Sequence, residues 1–133
     1  MIGRPIAFRL LQVLIGVFGF VPVLAGLGGI VLGPSMAGLS ASDTPVALDS
    51  HVRYLSGLLL AIGIGFWSTV PRIEQQAVRF RLLTAIVVIG GLGRLIGLLS
   101  IGVPPPSMLF GLAMELVVTP ALCWWQYRIA ERS

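Results

Sequence analysis

The stretch LLTAIVVIGGLGRLIGLLSIGVPPPSMLFGLAMELVV, residues 82–118, contains two apolar runs separated by consecutive prolines. Proline lacks a backbone N–H and cannot continue a helix, so the turn GVPPPS ends one helix before the next begins. A bilayer is crossed by roughly 20 apolar residues in helical form, and both runs reach that length. The stretch therefore predicts a hairpin of two membrane helices, at about 82–101 and 108–127.

Two further apolar segments precede the hairpin, at about 6–32 and 54–70. The first is longer than a span needs and carries Pro22, which predicts a tilt or a kink. It is also far longer than the apolar core of 7–15 residues in a signal peptide, so we interpret it as a retained helix. The chain shows no convincing internal repeat, which argues against an inverted-repeat transporter.

The composition fits this interpretation. Of the 133 residues, 56% are hydrophobic and 11% are charged, and the mean hydropathy is +0.99. Soluble domains carry roughly a quarter charged residues, so the chain has a membrane composition. We predict an all-α fold, an integral membrane four-helix bundle that forms one transmembrane domain over residues 1–133.

The arginines predict the orientation. Seven of the nine basic residues fall at the N-terminus, in the link between the second and third segments, or in the C-terminal tail. With four spans these regions share one side, which the positive-inside rule places in the cytoplasm. Both termini are therefore expected to be cytoplasmic. The residues concerned are Arg4, Arg9, Arg72, Arg79, Arg81, Arg128 and Arg132.

Small residues recur at helical spacing in three segments. Helices in a bilayer associate through close packing and polar contacts, so such stripes predict helix–helix interfaces in a compact bundle. The stripes are Gly26, Gly29 and Gly33 in the first segment, Gly57, Ala61 and Gly65 in the second, and Gly90, Gly93 and Gly97 in the third.

Two ionisable residues, Arg94 and Glu115, lie well inside apolar segments. Arg94 precedes Pro105 by 11 residues and Glu115 follows it by 10, which places both roughly 15–17 Å from the turn. A lone charge at mid-helix costs about 2.5–3.5 kcal/mol on insertion scales, and pairing avoids much of that cost. We predict a buried Arg94–Glu115 pair, which either fixes helix register or forms the polar floor of a ligand or proton site.

A second cluster lies in LDSHVRYLSG, residues 48–57, at the start of the second segment. Asp49 or Ser50 is a candidate N-cap. Arg53 would reach either Asp49 or Glu115, and in the second case two arginines would face one glutamate. The ligand-binding hypothesis therefore comprises Arg53, Arg94, Glu115, His51 and Asp49, with an anionic headgroup or lipophilic anion as ligand. Gln12 and Gln126 are expected to hydrogen-bond between helices.

Other site chemistries find no support in the sequence. Cys123 is the single cysteine and His51 the single histidine, so neither a disulfide nor a metal spacing can be identified. We expect no metal and no cofactor, assign no catalytic residue, and expect no nucleic-acid partner because the arginines are scattered.

The chain resembles the domain-of-unknown-function family 4345. The resemblance is carried by LDSHVRYLSGLLLAIGIG (48–65), VPRIE (70–74), GGLGRLIGLLSIGVP (90–104) and MELVVTP (114–120). The resemblance implies a small bacterial protein of four membrane helices, hence a multi-pass protein of the cytoplasmic (inner) membrane, and it brings no assigned activity.

Three roles remain open. The first, which we favour, is a non-enzymatic accessory or structural subunit of a larger membrane complex or homo-oligomer. The second is a binder or carrier of a lipid or lipophilic anion in the outer half of the bundle. The third is a small membrane enzyme acting on lipid or quinone, with Glu115 or His51 as acid or base.

Overall fold

The structure is a computed structural model that describes residues 3–132, with side chains from residue 5 onward. The expectation for Arg4 therefore concerns a side chain outside the described part. No strand occurs between residues 3 and 132. The helices are α1 (Gly3–Phe18), α2 (Phe20–Leu32), α3 (Val46–Thr69), α4 (Ala77–Ser100), α5 (Pro106–Ala113) and α6 (Thr119–Glu131).

Four helical stretches within the described residues are long and apolar enough to cross a membrane. They confirm the predicted all-α class with four membrane helices. Shorter helical pieces complete three of them: one 3-10 turn follows α2, another follows α3, and a π-helical turn joins α5 to α6. The stretches are Pro5–Ala37, Val46–Gln75, Ala77–Ser100 and Pro106–Glu131.

The chain divides into two compact units. The central unit is Val13–Ser68 and contains α2 and most of α3. The terminal unit contains the described residues up to Gln12 and from Thr69 onward, including α4, α5 and α6. Each unit is a helical assembly with its own buried residues.

In the central unit, α2 packs closely on α3 through glycines. A Cβ added at Gly26 would lie 2.6 Å from the backbone nitrogen of Leu60, and one at Gly29 would collide with Ser56. This outcome agrees with the stripe predicted for the first segment. On α3 the residue at the contact is Gly63, whose added Cβ would meet Val23, whereas a Cβ at Gly57 would meet no described atom within 4 Å.

The first span is interrupted at Gly19, one turn before Pro22. Pro22 cannot donate to the carbonyl of Phe18, so the helix is weakened at this point. Trp67 lies beside the interruption: its indole N–H donates to the carbonyl of Gly16 at 3.0 Å. Its ring meets that of Phe20 edge-on, with centroids 4.9 Å apart.

In the terminal unit, two glutamines donate hydrogen bonds to the segment between α3 and α4. This segment, Val70–Gln75, is a 3-10 turn with Pro71 near its start. Gln12 Nε2 donates to the carbonyl of Val70 at 2.7 Å, and the fully buried Gln126 donates to that of Ile73 at 2.8 Å. These bonds confirm the prediction that both glutamines join helical elements.

Candidate functional site

Arg94 and Glu115 meet across α4 and the π-helical turn Met114–Val118. Arg94 Nε donates to Glu115 Oε2 at 3.2 Å, and Nη2 donates to Oε1 at 3.1 Å. The planar guanidinium thus makes two parallel bonds to one carboxylate, the geometry that favours arginine over lysine. The predicted contact is confirmed, and so is the reasoning that placed both residues level about the proline turn.

A glycine and a widened turn bring the pair together. A Cβ at Gly91 would lie 2.9 Å from Glu115 Cβ, so the glycine lets α4 approach the turn that carries the glutamate. Pro120 follows this turn, and its ring would crowd the carbonyl of Leu116 in a regular helix. The wider π turn relieves that crowding, and Thr119 Oγ1 donates to the carbonyl of Met114 at 2.7 Å.

The prediction that the pair is buried is wrong. The Arg94 side chain is 35% exposed and the Glu115 side chain is 18% exposed. The physical reason lies in the neighbouring glycines. A Cβ added at Gly90, Gly93 or Gly97 would meet no atom of the described residues within 4 Å, so this face of α4 is uncovered. Gly91, on the other side of Arg94, is the glycine that packs.

A shallow groove begins at Arg94 and runs toward the proline turn. Its volume is about 450 Å³. Arg94 is the charged residue of its lining, and the rest of the lining is apolar or backbone. The lining residues are Arg94, Gly97, Leu98, Ile101, Gly102, Val103 and Pro104.

Arg53 belongs to the central unit, where it closes the end of α2. Arg53 Nε donates to Asp49 Oδ2 at 2.9 Å, and Nη1 donates to the carbonyls of Ile30 and Val31 at 2.6 and 3.2 Å. The last carbonyls of a helix lack partners within the helix and carry a partial negative charge. A guanidinium at this position donates hydrogen bonds to these carbonyls and offsets their partial negative charge.

Gly33 makes room for this arrangement. It follows α2 with a backbone φ of +59°, a conformation that residues with a Cβ rarely adopt. A Cβ there would also lie 2.9 Å from Arg53 Nη2 and 2.8 Å from Asp49 Oδ1. The glycine is therefore required both by the backbone and by the approach of the ion pair.

Two details of the second cluster differ from expectation. The helix α3 begins at Val46, so Asp49 lies in its first turn and neither Asp49 nor Ser50 is the N-cap. The helix also begins before the predicted bound near Tyr54 and includes the largely polar residues 49–53, where the Arg53–Asp49 pair at i, i+4 spacing stabilises it. His51 is exposed on the same helix.

Of the five predicted site residues, the structure joins Asp49 with Arg53 in the central unit and Arg94 with Glu115 in the terminal unit. Sequence reasoning missed the carbonyls of Ile30 and Val31, because backbone acceptors leave no sign in a residue pattern. It also passed over Gly91, which is one of six glycines from residue 90 to residue 111 and is distinguished by its packing. Pro120 two residues after a run of apolar residues was the available signal for the widened turn.

No group of three or more metal-ligating side chains occurs among the described residues. No curated protein and no solved structure matches the chain. One family of proteins does match, and its sequence model covers residues 10–126, which include both ion pairs and all four apolar stretches almost entirely. The chain therefore belongs to the family described as Domain of unknown function (DUF4345).

Proposed function

We propose that this protein is an accessory subunit of a membrane complex and docks on a transmembrane helix of a partner protein through one face of α4. We name this surface the glycine face and define it by Gly90, Gly93, Gly97 and the exposed side of Arg94. The observation that carries the proposal is the partly exposed Arg94–Glu115 pair within an apolar span.

A polar group on a membrane helix normally faces other protein, because hydrocarbon offers it no hydrogen bond. Pairing with Glu115 uses Nε and Nη2 of Arg94, and Nη1 has no partner among the described residues. A partner that supplied a carbonyl or hydroxyl acceptor would satisfy this group. The pair thus supports a protein neighbour at this position.

The glycines on the same face support close approach. Residues three and four positions apart lie on one side of a helix, so Gly90 and Gly97 flank Arg94. Small residues let two helix backbones come near enough for interhelical hydrogen bonds. The glycine face therefore combines the two features that hold membrane helices together.

The test is site-specific photocrosslinking in native membranes. In a Cys123→Ser background, Gly93→Cys is labelled with a benzophenone maleimide, and Leu99→Cys is the matched control. Leu99 lies on another side of α4 and is 78% exposed. We expect an adduct of one defined mass, containing a different protein, from Gly93→Cys and none from Leu99→Cys. Equal adducts from both positions, none from Gly93→Cys, or a product of twice the chain mass would overturn the proposal.

A second candidate function rests on the groove beside Arg94. A groove with an apolar wall and a guanidinium at one end suits a lipophilic molecule with an anionic group. Native mass spectrometry of protein released from lipid nanodiscs tests it. Gly97→Leu, which fills the groove, should remove a bound anionic lipid that the unchanged protein and Leu99→Ala retain. An identical lipid content in all three proteins would reject this candidate.

A further inference from the structure

A second cluster of guanidinium groups lies in the terminal unit, where α4 begins and α6 ends. The Arg81 guanidinium carbon is 5.2 Å from the centroid of the Tyr127 ring, and that of Arg128 is 5.5 Å from the centroid of Trp124. The two rings are three residues apart on α6 and therefore neighbours on its surface. We call Arg81, Trp124, Tyr127 and Arg128 the aromatic–arginine patch, and all four are exposed.

The patch carries two positive charges, which the one nearby carboxylate offsets only in part. Among the described residues, neither Arg81 nor Arg128 lies within ion-pair distance of a carboxylate. The nearby Glu131 accepts a hydrogen bond from the Tyr127 hydroxyl at 2.7 Å. Outside the Arg94–Glu115 pair, residues 69–132 contain five arginines and two glutamates.

The aromatic rings hold the two guanidinium groups in position. Unlike a carboxylate, a ring held by this attraction does not take up the N–H donors of the arginine. An aromatic face attracts a cation through its quadrupole, and the N–H groups of arginine remain in the guanidinium plane. Phosphate oxygens accept two parallel bonds from such a fork. The patch therefore offers two pre-positioned forks to a phosphate.

The position of the patch selects the source of that phosphate. It lies at the end of two helices long and apolar enough to cross a membrane, where tryptophan and tyrosine sit at the headgroup level. Basic residues next to a span attract anionic lipids, at about 1 kcal/mol for each charge near the surface. A phospholipid headgroup is therefore the phosphate that reaches this surface.

We propose that the aromatic–arginine patch binds the phosphate of an anionic phospholipid. The proposal is independent of the docking role of the glycine face, since it concerns the opposite end of α4 and other side chains. It gives this end of the protein a preference among lipids, beyond general solvation by the bilayer.

The experiment measures lipid preference by fluorescence quenching. The protein is reconstituted with Trp67→Phe into vesicles of phosphatidylcholine, with or without phosphatidylglycerol, and one lipid in turn carries brominated chains. The remaining tryptophans, Trp124 and Trp125, report the lipid at the patch. We expect phosphatidylglycerol to be preferred, and each of Arg81→Gln and Arg128→Gln to weaken the preference about fivefold.

Two controls separate the patch from general surface charge. Arg72→Gln removes an exposed arginine from the same end, outside the patch, and should leave the preference within about twofold. Tyr127→Phe keeps the ring that faces Arg81 and should bind as the unchanged protein does, whereas Tyr127→Leu should lose preference. Circular dichroism and elution volume check that each variant is folded.

Three results would overturn the proposal. They are the absence of any preference for phosphatidylglycerol in the unchanged protein, an equal loss in Arg72→Gln, and an equal preference in Tyr127→Leu and Tyr127→Phe. Millimolar inorganic phosphate distinguishes the two sources of the ligand. Abolition of the preference by free phosphate would assign the patch to that anion, whereas an unchanged preference supports the lipid.

Discussion

The Arg94–Glu115 pair presents a charged group on an apolar helix without full cover by protein. The pair is neutral as a whole and each carboxylate oxygen accepts one bond, so its cost in hydrocarbon is lower than that of either residue alone. Removal of one partner leaves the other charge without compensation. The pair therefore contributes to stability mainly because each residue spares the other the cost of an uncompensated charge. The mutual attraction of the two residues contributes less.

We predict strong coupling between the two residues in a double-mutant cycle. Arg94→Gln and Glu115→Gln should each destabilise the protein, and Glu115→Gln should cost more because the remaining guanidinium does not readily become neutral. The double variant should recover about 1–3 kcal/mol of the summed cost. Unfolding free energies from denaturing-detergent titrations in bicelles measure this. Additive effects would contradict the proposed penalty.

Gly91 and Gly111 provide a matched pair of alanine substitutions beside the ion pair. A Cβ at Gly91 would lie 2.9 Å from Glu115 Cβ, which cannot move without its backbone, whereas one at Gly111 would be 3.9 Å from Arg94 and Glu115. We expect Gly91→Ala to destabilise the protein by about 1–3 kcal/mol through overpacking. Gly111→Ala should be neutral or slightly stabilising, since alanine favours helix.

Thermal unfolding in a mild detergent, followed by circular dichroism at a helical wavelength, compares the two variants under identical conditions. Equal midpoints for Gly91→Ala and the unchanged protein would show that α4 does not approach the π turn as closely as described. A loss in Gly111→Ala equal to that in Gly91→Ala would attribute the effect to helix glycines in general.

Arg53 joins two helices of the central unit, because its side chain extends from α3 and caps the C-terminal end of α2. Its guanidinium lies on α3 and bonds the final carbonyls of α2, while Asp49 holds it from one turn before. The contact is local to the end of α2. Its loss should therefore fray that end and leave the glycine contacts further along α2 intact.

We expect Arg53→Gln to accelerate amide hydrogen exchange in a peptide covering residues 29–36 about fivefold, which corresponds to about 1 kcal/mol of helix-end stabilisation. The Gly33 amide, which donates to the carbonyl of Gly29, should respond most. Arg53→Lys keeps the charge but loses the fork, and should give an intermediate rate. Unchanged exchange in Arg53→Gln would mean that the capping bonds do not stabilise α2.

The sequence predicted the positions of the helices better than which face of each helix packs against a neighbour. The apolar runs and the proline turn gave four membrane helices, and the equal spacing of Arg94 and Glu115 from Pro105 gave their contact. The glycine stripes were ambiguous, because a glycine favours close packing wherever it occurs and the pattern does not say which side meets a neighbour. Gly26 and Gly29 pack, whereas a Cβ added at Gly57, Gly90 or Gly93 would meet nothing within 4 Å beyond the backbone of its own helix among the described residues.

The extent of the second helix was also beyond the residue pattern. Its apolar span was predicted to begin near Tyr54, but α3 starts at Val46 and includes the largely polar turn at residues 49–53. That turn is stabilised by Arg53, Asp49 and the carbonyls of α2, which are contacts between distant parts of the chain. Hydropathy reports apolar length and carries no information on such contacts.

Across the described residues, about half of the large apolar side chains are exposed and few are buried. Fully buried residues include Leu11, Ile73 and Phe80, whereas exposed leucines, isoleucines and valines occur on every span. In water such a surface would aggregate. In a bilayer it is the surface that lipid tails contact, and polar contacts such as those of Gln12 and Gln126 hold the helices instead.

The distribution of arginines over this surface predicts how the molecule lies in the membrane. The aromatic–arginine patch and the Val70–Gln75 turn fall on the side with most of the basic residues, and the proline turn Gly102–Pro105 has no charge. Retention of arginine-rich segments on the cytoplasmic side determines orientation. Alkaline phosphatase should therefore be inactive when fused after Ser133 and active when inserted after Pro105, and a fluorescent protein should show the opposite pattern.

Replacement of Arg72, Arg79 and Arg81 by glutamine should reduce this contrast, because the bias then rests on the terminal arginines. Activity of the phosphatase at the C-terminus would reverse the orientation and assign the patch to the outer leaflet.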